Sequence, residues 1–105
     1  MVLTRDFRER VAKRAQHDAR YRRALLIDAV QALLDGDLRQ GKAVLRDYIN
    51  ATVGFEALGE SMNKHSKSLH RMLGPRGNPR AENIFTIIRV LQDCERTRLQ
   101  VKASG

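Results

Sequence analysis

The sequence predicts an all-α fold, and three observations carry that expectation. Apolar residues recur at the three-and-four spacing of one helix face through most of the chain. No segment before residue 97 alternates between apolar and polar as a half-buried strand does. Helix punctuation falls between the apolar stripes, with Thr4, Asp18 and Asp37 as N-caps, Gly36 and Gly54 as stops, and Gly74-Pro75 as a break. The 105 residues suit one helical domain, residues 1–105, with a modest core.

Each element follows from its own residues. Thr4 can cap a first helix whose apolar face is Phe7, Val11 and Ala15. Asp18 can cap a second, with Tyr21, Ala24, Leu25, Val30, Leu33 and Leu34 inward and Gly36 at its end. Asp37 offers the next cap, for a helix over Leu38, Val44, Leu45, Tyr48 and Ile49 that runs towards Thr52. Gly54 breaks the chain before a fourth helix, Phe55–Met62, in which Leu58 and Met62 form an i, i+4 core pair. Asn63 is the turn residue, because asparagine tolerates the left-handed conformation. A fifth helix, residues 66–73, turns Leu69, Met72 and Leu73 inward. Pro79 suits the first turn of a sixth, which carries Ile84, Ile87, Ile88 and Leu91. Residues 4–35 thus form an N-terminal helical extension, residues 38–93 a central unit, and residues 98–105 a tail. The tail has two readings: Leu99-Gln100-Val101-Lys102 alternates like a short strand, and a disordered terminus is the other.

Charge narrows the class of partner. Twenty Lys and Arg against 12 Asp and Glu give a net charge of +8, which suits a polyanion, either nucleic acid or an acidic surface. Between Glu60 and Glu82 there is no acid, while Lys64, Lys67, Arg71, Arg76 and Arg80 fall in that interval. A second cluster, Arg5, Arg8, Arg10, Lys13, Arg14, Arg20, Arg22 and Arg23, is interleaved with Asp6, Glu9 and Asp18; a solvated helix face is the favoured reading and direct DNA contact the other. Cys94 is the sole cysteine, so no intramolecular disulfide and no Cys-rich zinc site can form; its apolar helical setting suggests a core or boundary position. His65 and His70 are five apart and off each other's helix face, and together with His17 they make no metal set. GPRGNP lacks the Lys and Ser/Thr of a phosphate-cradling loop, and Asp47 and Glu56 have no neighbouring nucleophile pattern. No enzyme activity, cofactor or metal is expected. Nor is there a signal-peptide core or a membrane-length apolar run, so the expected location is the bacterial cytoplasm, at the nucleoid when bound.

Residues 55–79 are the most specific stretch. They read as a short helix, a tight turn, a second short helix and a Gly/Pro-rich exit. That is the layout of a helix-turn-helix, whose second helix enters the DNA major groove. Ser66, Lys67, His70 and Arg71 are then candidates for base contacts. Gly54 and Phe55, through backbone N–H groups, and Lys64, His65, Arg76, Asn78 and Arg80 are candidates for phosphate contacts. Two short helices joined by a turn occur in any helical protein; the acid-free interval and the polar outer face of the fifth helix set this pair apart. One short helix reads few base pairs, so a homodimer is expected. The rival reading is a helical adaptor that binds only protein, its basic face meeting an acidic partner.

Residues 41–91 resemble the five-helix domain of the phage Cro/repressor-type (Xre-like) regulators. A helix over residues 41–52 precedes the motif, and the Asn78-Pro79 exit leads into a final helix with Ile84 and Leu91. Matching around Leu58, Met62 and Leu69 places the family's base-contacting positions on Ser66, Lys67 and Arg71, and its helix-capping position on His65. The family usually has glycine where Asn63 stands and Ser or Thr where His65 stands; a cap at Ser66 instead would shift the contact register by one. Over roughly residues 3–92 the chain is also similar to small antitoxin-like regulators of type II toxin–antitoxin modules (HigA-like), on the stretches LTRDF, GKAVLRDYINATVGFEALGE and KSLHRMLGPRGNP. The resemblance implies a five-helix repressor-like DNA-binding domain with additional N-terminal helices. It further implies repression of the chain's own operon and neutralisation of a RelE/HigB-like ribonuclease toxin.

Overall fold

Asp18 and Asp37 do what their positions predict. Each side chain accepts the backbone N–H three residues on, from Tyr21 and Gln40, both at 3.1 Å. In the computed structural model, which describes residues 5–105, these caps open the second and third of six helices. The order is α1 Arg5–His17, α2 Ala19–Leu34, α3 Leu38–Ala51, α4 Phe55–Met62, α5 Ser66–Met72 and α6 Ala81–Glu95. No strand occurs among the described residues, and no helix there is long and apolar enough to cross a membrane. The Thr4 cap lies outside the described residues.

The helix ends are closed by local chemistry. Gly54, at φ 80°, ends α3 by donating its N–H to Ile49 O at 2.8 Å and also stands as the N-cap of α4. Asn63 adopts the expected left-handed conformation, φ 54° and ψ 46°, and lets Lys64 N–H reach back to Gly59 O at 2.9 Å. Arg96 ends α6 in the same way at φ 54°, without a glycine's freedom. Pro79 departs from expectation. It lies before the helix, because Arg80 is still extended (ψ 148°) and is the residue whose carbonyl takes the first helical bond, from Ile84 at 3.1 Å.

One core unites the helices from α2 to α6. Leu26 and Ala29 of α2 meet Leu45, Tyr48 and Ile49 of α3, Phe55 and Leu58 of α4, Leu69 of α5, Leu73 just after it, and Ile87, Val90 and Leu91 of α6. Burying each such leucine contributes about 1.5–3 kcal/mol. The expected inward face of α2 needs correction: Ala24 is exposed and Leu34 is 60% exposed, whereas Leu26 and Ala29 are fully buried. The segment is apolar on several faces, so periodicity alone does not choose among them. Phe7 is 41% exposed, and on α1 it is Ala15 that is fully buried. Cys94 is exposed, contrary to its expected core or boundary position, because α6 turns Val90 and Leu91 inward instead. The tail forms no strand; Leu99 packs against the core and donates its N–H to Gln92 Oε1 at 2.8 Å.

A polar network ties the N-terminal helices to this core. Glu95, at the end of α6, is nearly buried and accepts from Arg22 Nε at 3.0 and 3.2 Å and from Tyr48 OH at 2.6 Å. Arg22 also donates through Nη1 to Ala15 O, at the end of α1, at 2.9 Å. Burial disfavours the Glu95 charge, but hydrogen bonds from Arg22 and Tyr48 outweigh it and hold the carboxyl below its ordinary value. Burial, then the hydrogen bond to Glu95, pushes the Tyr48 hydroxyl well above its ordinary range.

Two outcomes follow. A Cβ on Gly59 would sit 2.5 Å from the backbone oxygen of Lys64, so Gly59→Ala should lower unfolding stability by roughly 1–3 kcal/mol, measured by urea denaturation. A lowered folded-state pKa at Glu95 stabilises the fold at pH above the ordinary carboxyl value of 4.5. That contribution disappears as pH falls through the lowered value, so Glu95→Gln should flatten the acid limb of a stability–pH profile while lowering stability at neutral pH.

Candidate nucleic-acid interface

α4 and α5 are eight and seven residues long, too short to persist alone in water. Three devices fix them. First, the turn passes across Gly59, which has no Cβ to obstruct Lys64 and Ser66. Second, the rings of Phe55 in α4 and His70 in α5 lie 4.8 Å apart, tilted by 51°. Third, α3 reaches over to the far end of α5. Lys42, only 4% exposed, donates through Nζ to Gly74 O at 2.9 Å and to Gly77 O at 2.6 Å. Arg46 donates through Nη1 to Leu73 O.

The third device is chemically specific. A helix leaves its last carbonyls without intrahelical donors and gathers partial negative charge there. Two cations from one face of α3 lie at this end and bond the carbonyls of the cap residue Leu73 and of Gly74 and Gly77 in the exit loop that follows. The loop is drawn close enough that a Cβ on Gly77 would collide with the backbone oxygens of Met72 and Arg71. A buried lysine is tolerated here because its charge meets carbonyl oxygens rather than apolar surface.

The predicted contact residues fall into distinct groups. His65 is the N-cap position of α5 by backbone geometry (ψ 138°) and Ser66 the first helical residue; neither side chain makes a capping bond. The register with His65 at the cap is therefore the one adopted. Lys67, His70 and Arg71 are exposed and Ser66 is half-buried. His70 and Arg71 border a groove between α3 and the exit, together with Arg46, Asp47, Asn50 and Arg76. Lys64, His65 and Ser66 border another beside the turn, shared with Glu56 and Glu60. Lys67, Asn78 and Arg80 line neither groove, though all three are exposed. The Gly54 N–H is committed to Ile49, so the amides that α4 leaves without helical acceptors at this end are those of Phe55, Glu56 and Ala57.

Pairing of the cations differs only in part between this region and the N-terminal cluster, where Arg10, Lys13, Arg20 and Arg23 are also exposed without an ion pair among the described residues. Among the described residues, Lys64, Lys67, Arg71, Arg76 and Arg80 form no ion pair. In the N-terminal half, Arg5 pairs with Glu9, Arg14 with Asp18 and Arg22 with Glu95. Arg14 also lies 4.6 Å from the Tyr21 ring centre. No group of three or more His, Cys, Asp or Glu among the described residues could hold a metal ion.

Sequence reasoning missed Lys42, Arg46 and the Arg22–Glu95–Tyr48 network. A signal was present: Lys42 stands at the helical spacing of Leu45 and Ile49, Glu95 one turn beyond Leu91, and Arg22 one turn before Leu26. A charged residue in register with a buried stripe must find a partner. No protein-family model, curated protein or solved structure matches this chain.

Lys42→Met removes two charge-assisted bonds and leaves two carbonyls wanting donors. It should cost about 2–4 kcal/mol of stability. Hydrogen exchange should show protection falling first at Leu73, Gly74 and Gly77, with the amides inside α2 least affected.

Proposed function

We propose that the chain is a sequence-specific regulator that binds duplex DNA, with α4, the Asn63 turn and α5 acting as a helix-turn-helix and α5 lying in the major groove. The observation that carries this reading is the set of five exposed cations, Lys64, Lys67, Arg71, Arg76 and Arg80, all without ion-pair partners among the described residues. Lys67 and Arg71 sit on α5, Lys64 in the turn before it, and Arg76 and Arg80 beyond its exit, and a fixed helix pair with unneutralised positive charge on and beside it is what phosphate-tracking recognition requires.

The parts divide by chemistry. Lys67 and Arg71 carry donors suited to guanine O6 and N7, and Ser66 can serve a base or a phosphate. Lys64, His65, Arg76, Asn78 and Arg80 flank α5 and set affinity through phosphates. The amide end of α4 at Phe55 can take a phosphate oxygen, with Glu56 restricting how closely it approaches. His70 holds its ring against Phe55 and meets bases only through its outer edge. The resemblance of residues 3–92 to antitoxin-like regulators extends the proposal. The chain would act as a homodimer at its own operator and neutralise a small RelE/HigB-like ribonuclease toxin.

Lys67→Ala with Arg71→Ala should weaken binding to DNA from the chain's own upstream region by about 30-fold or more in a band-shift titration, with an unchanged thermal melt. Unchanged affinity would sink the assignment of α5. Arg76→Ala and Arg80→Ala should each reduce the slope of log affinity against log salt by about 0.9, uniformly across DNA sequences. For the toxin, the test is the neighbouring gene: its product should arrest growth when expressed alone and not when co-expressed with this chain.

A further inference from the structure

α2 has a second face that the core does not use. Ala24, Ile27, Gln31 and Leu34 follow one another at helical spacing and are all exposed, Ile27 at 51% and Leu34 at 60%. They lie opposite the buried side of the helix, which carries Leu26 and Ala29. Leu38, 36% exposed, opens the next helix, α3. Ile27 and Leu34 are two helical turns apart, about 10 Å, so the stripe is an extended seam and not an isolated residue.

The charges beside this seam are divided by position. Arg20 and Arg23 are exposed at its N-terminal end. Asp28, Asp35 and Asp37 are exposed along its C-terminal half, and no Lys or Arg occurs between Arg23 and Arg39. A face that is basic at one end and acidic at the other is complementary to itself turned end for end. A uniformly acidic or basic partner would match only half of it.

We infer that this face of α2 is the contact between two copies of the chain, packed antiparallel about a two-fold axis at Gln31. In that register Ile27 meets Leu34 of the other copy. Arg23 reaches the corner formed by Asp35 and Asp37 of the other copy. The two helix dipoles oppose each other, which is also favourable. Gln31, already bonded to Asp35 Oδ1 at 3.0 Å within its own helix, sits where a polar residue fixes register without a large apolar contact. The pairing is isologous: each contact occurs twice and the assembly closes at two. It supplies the surface for the homodimer of the DNA-binding reading, and rests on that reading only for its use.

Sedimentation equilibrium and cysteine cross-linking of the full chain test it. The wild type should be dimeric at high micromolar concentration. Ile27→Glu with Leu34→Glu should raise the dimer Kd by about 10-fold or more, because two anchors are lost from each copy. In a Cys94→Ser background, Gln31→Cys should cross-link to itself on mild oxidation; this holds even if the double glutamate variant misfolds. Phe85→Cys, on the exposed face of α6, should not. A monomeric wild type, a dimer indifferent to the glutamates, or cross-linking through position 85 and not 31 overturns the inference. A dimer that binds no DNA at low salt rejects the DNA reading and leaves this interface standing.

Discussion

The placement of α5 depends on Lys42 and Arg46 bonding the carbonyls of its cap, Leu73, and of Gly74 and Gly77 in the exit loop. A seven-residue helix has too few internal bonds to hold itself. Its apolar contribution to the core is Leu69 and the partly buried Met72, with Leu73 at its end. Apolar contact alone would let such a helix rotate or fray. Two cations on carbonyl oxygens of residues 73, 74 and 77 remove that freedom, since each bond has a direction as well as an energy. The Gly59 crossing and the Phe55–His70 contact fix the other end.

α3 carries the whole arrangement. Leu45, Tyr48 and Ile49 face the common core, and Lys42 and Arg46 face the exit of α5. Tyr48 also joins Glu95 and, through it, Arg22. That places α1, α2, α3 and α6 in one polar network, while α3 separately grips the α5 exit. A disturbance at Glu95 and one at Lys42 therefore reach the same helix from different sides. The N-terminal helices are thereby part of the scaffold on which α5 is set.

The basic residues serve two different purposes. In the N-terminal half several form pairs within the chain: Arg5 with Glu9 in α1, Arg14 with Asp18 at the start of α2, and the half-buried Arg22 with Glu95. Around α5 the cations face solvent without ion pairs among the described residues. The five cations around α5 lie in an interval without acid, whereas the exposed Arg10, Lys13, Arg20 and Arg23 are interleaved with Asp6, Glu9 and Asp18. α2 contrasts with both, since its outer face combines exposed apolar residues with acid at one end and base at the other.

Much of this was legible in the residues, and the reason lies in range. Helix ends are fixed by groups within a few positions of one another. Asp18, Asp37, Gly54 and Asn63 therefore act where local chemistry puts them, and Phe55–Met62 has the bounds its residues imply. The all-helical architecture follows from apolar spacing for the same reason. The buried face of α2 followed only in part: Leu25 and Leu33 pack against the core as expected, but several faces are apolar and only the tertiary packing puts Leu26 and Ala29 at its centre and leaves Ala24 and Leu34 exposed. Pro79 fits a first helical turn by its own geometry, yet the exit loop held by Lys42 delays the helix to Ala81. The sequence by itself determined the helices, their caps and the acid-free basic interval. Tertiary structure alone decided that Lys42 meets Gly74 and Gly77 and that Glu95 meets Arg22 and Tyr48, because partners 32 to 73 residues apart are brought together by the shared core, not by any local pattern.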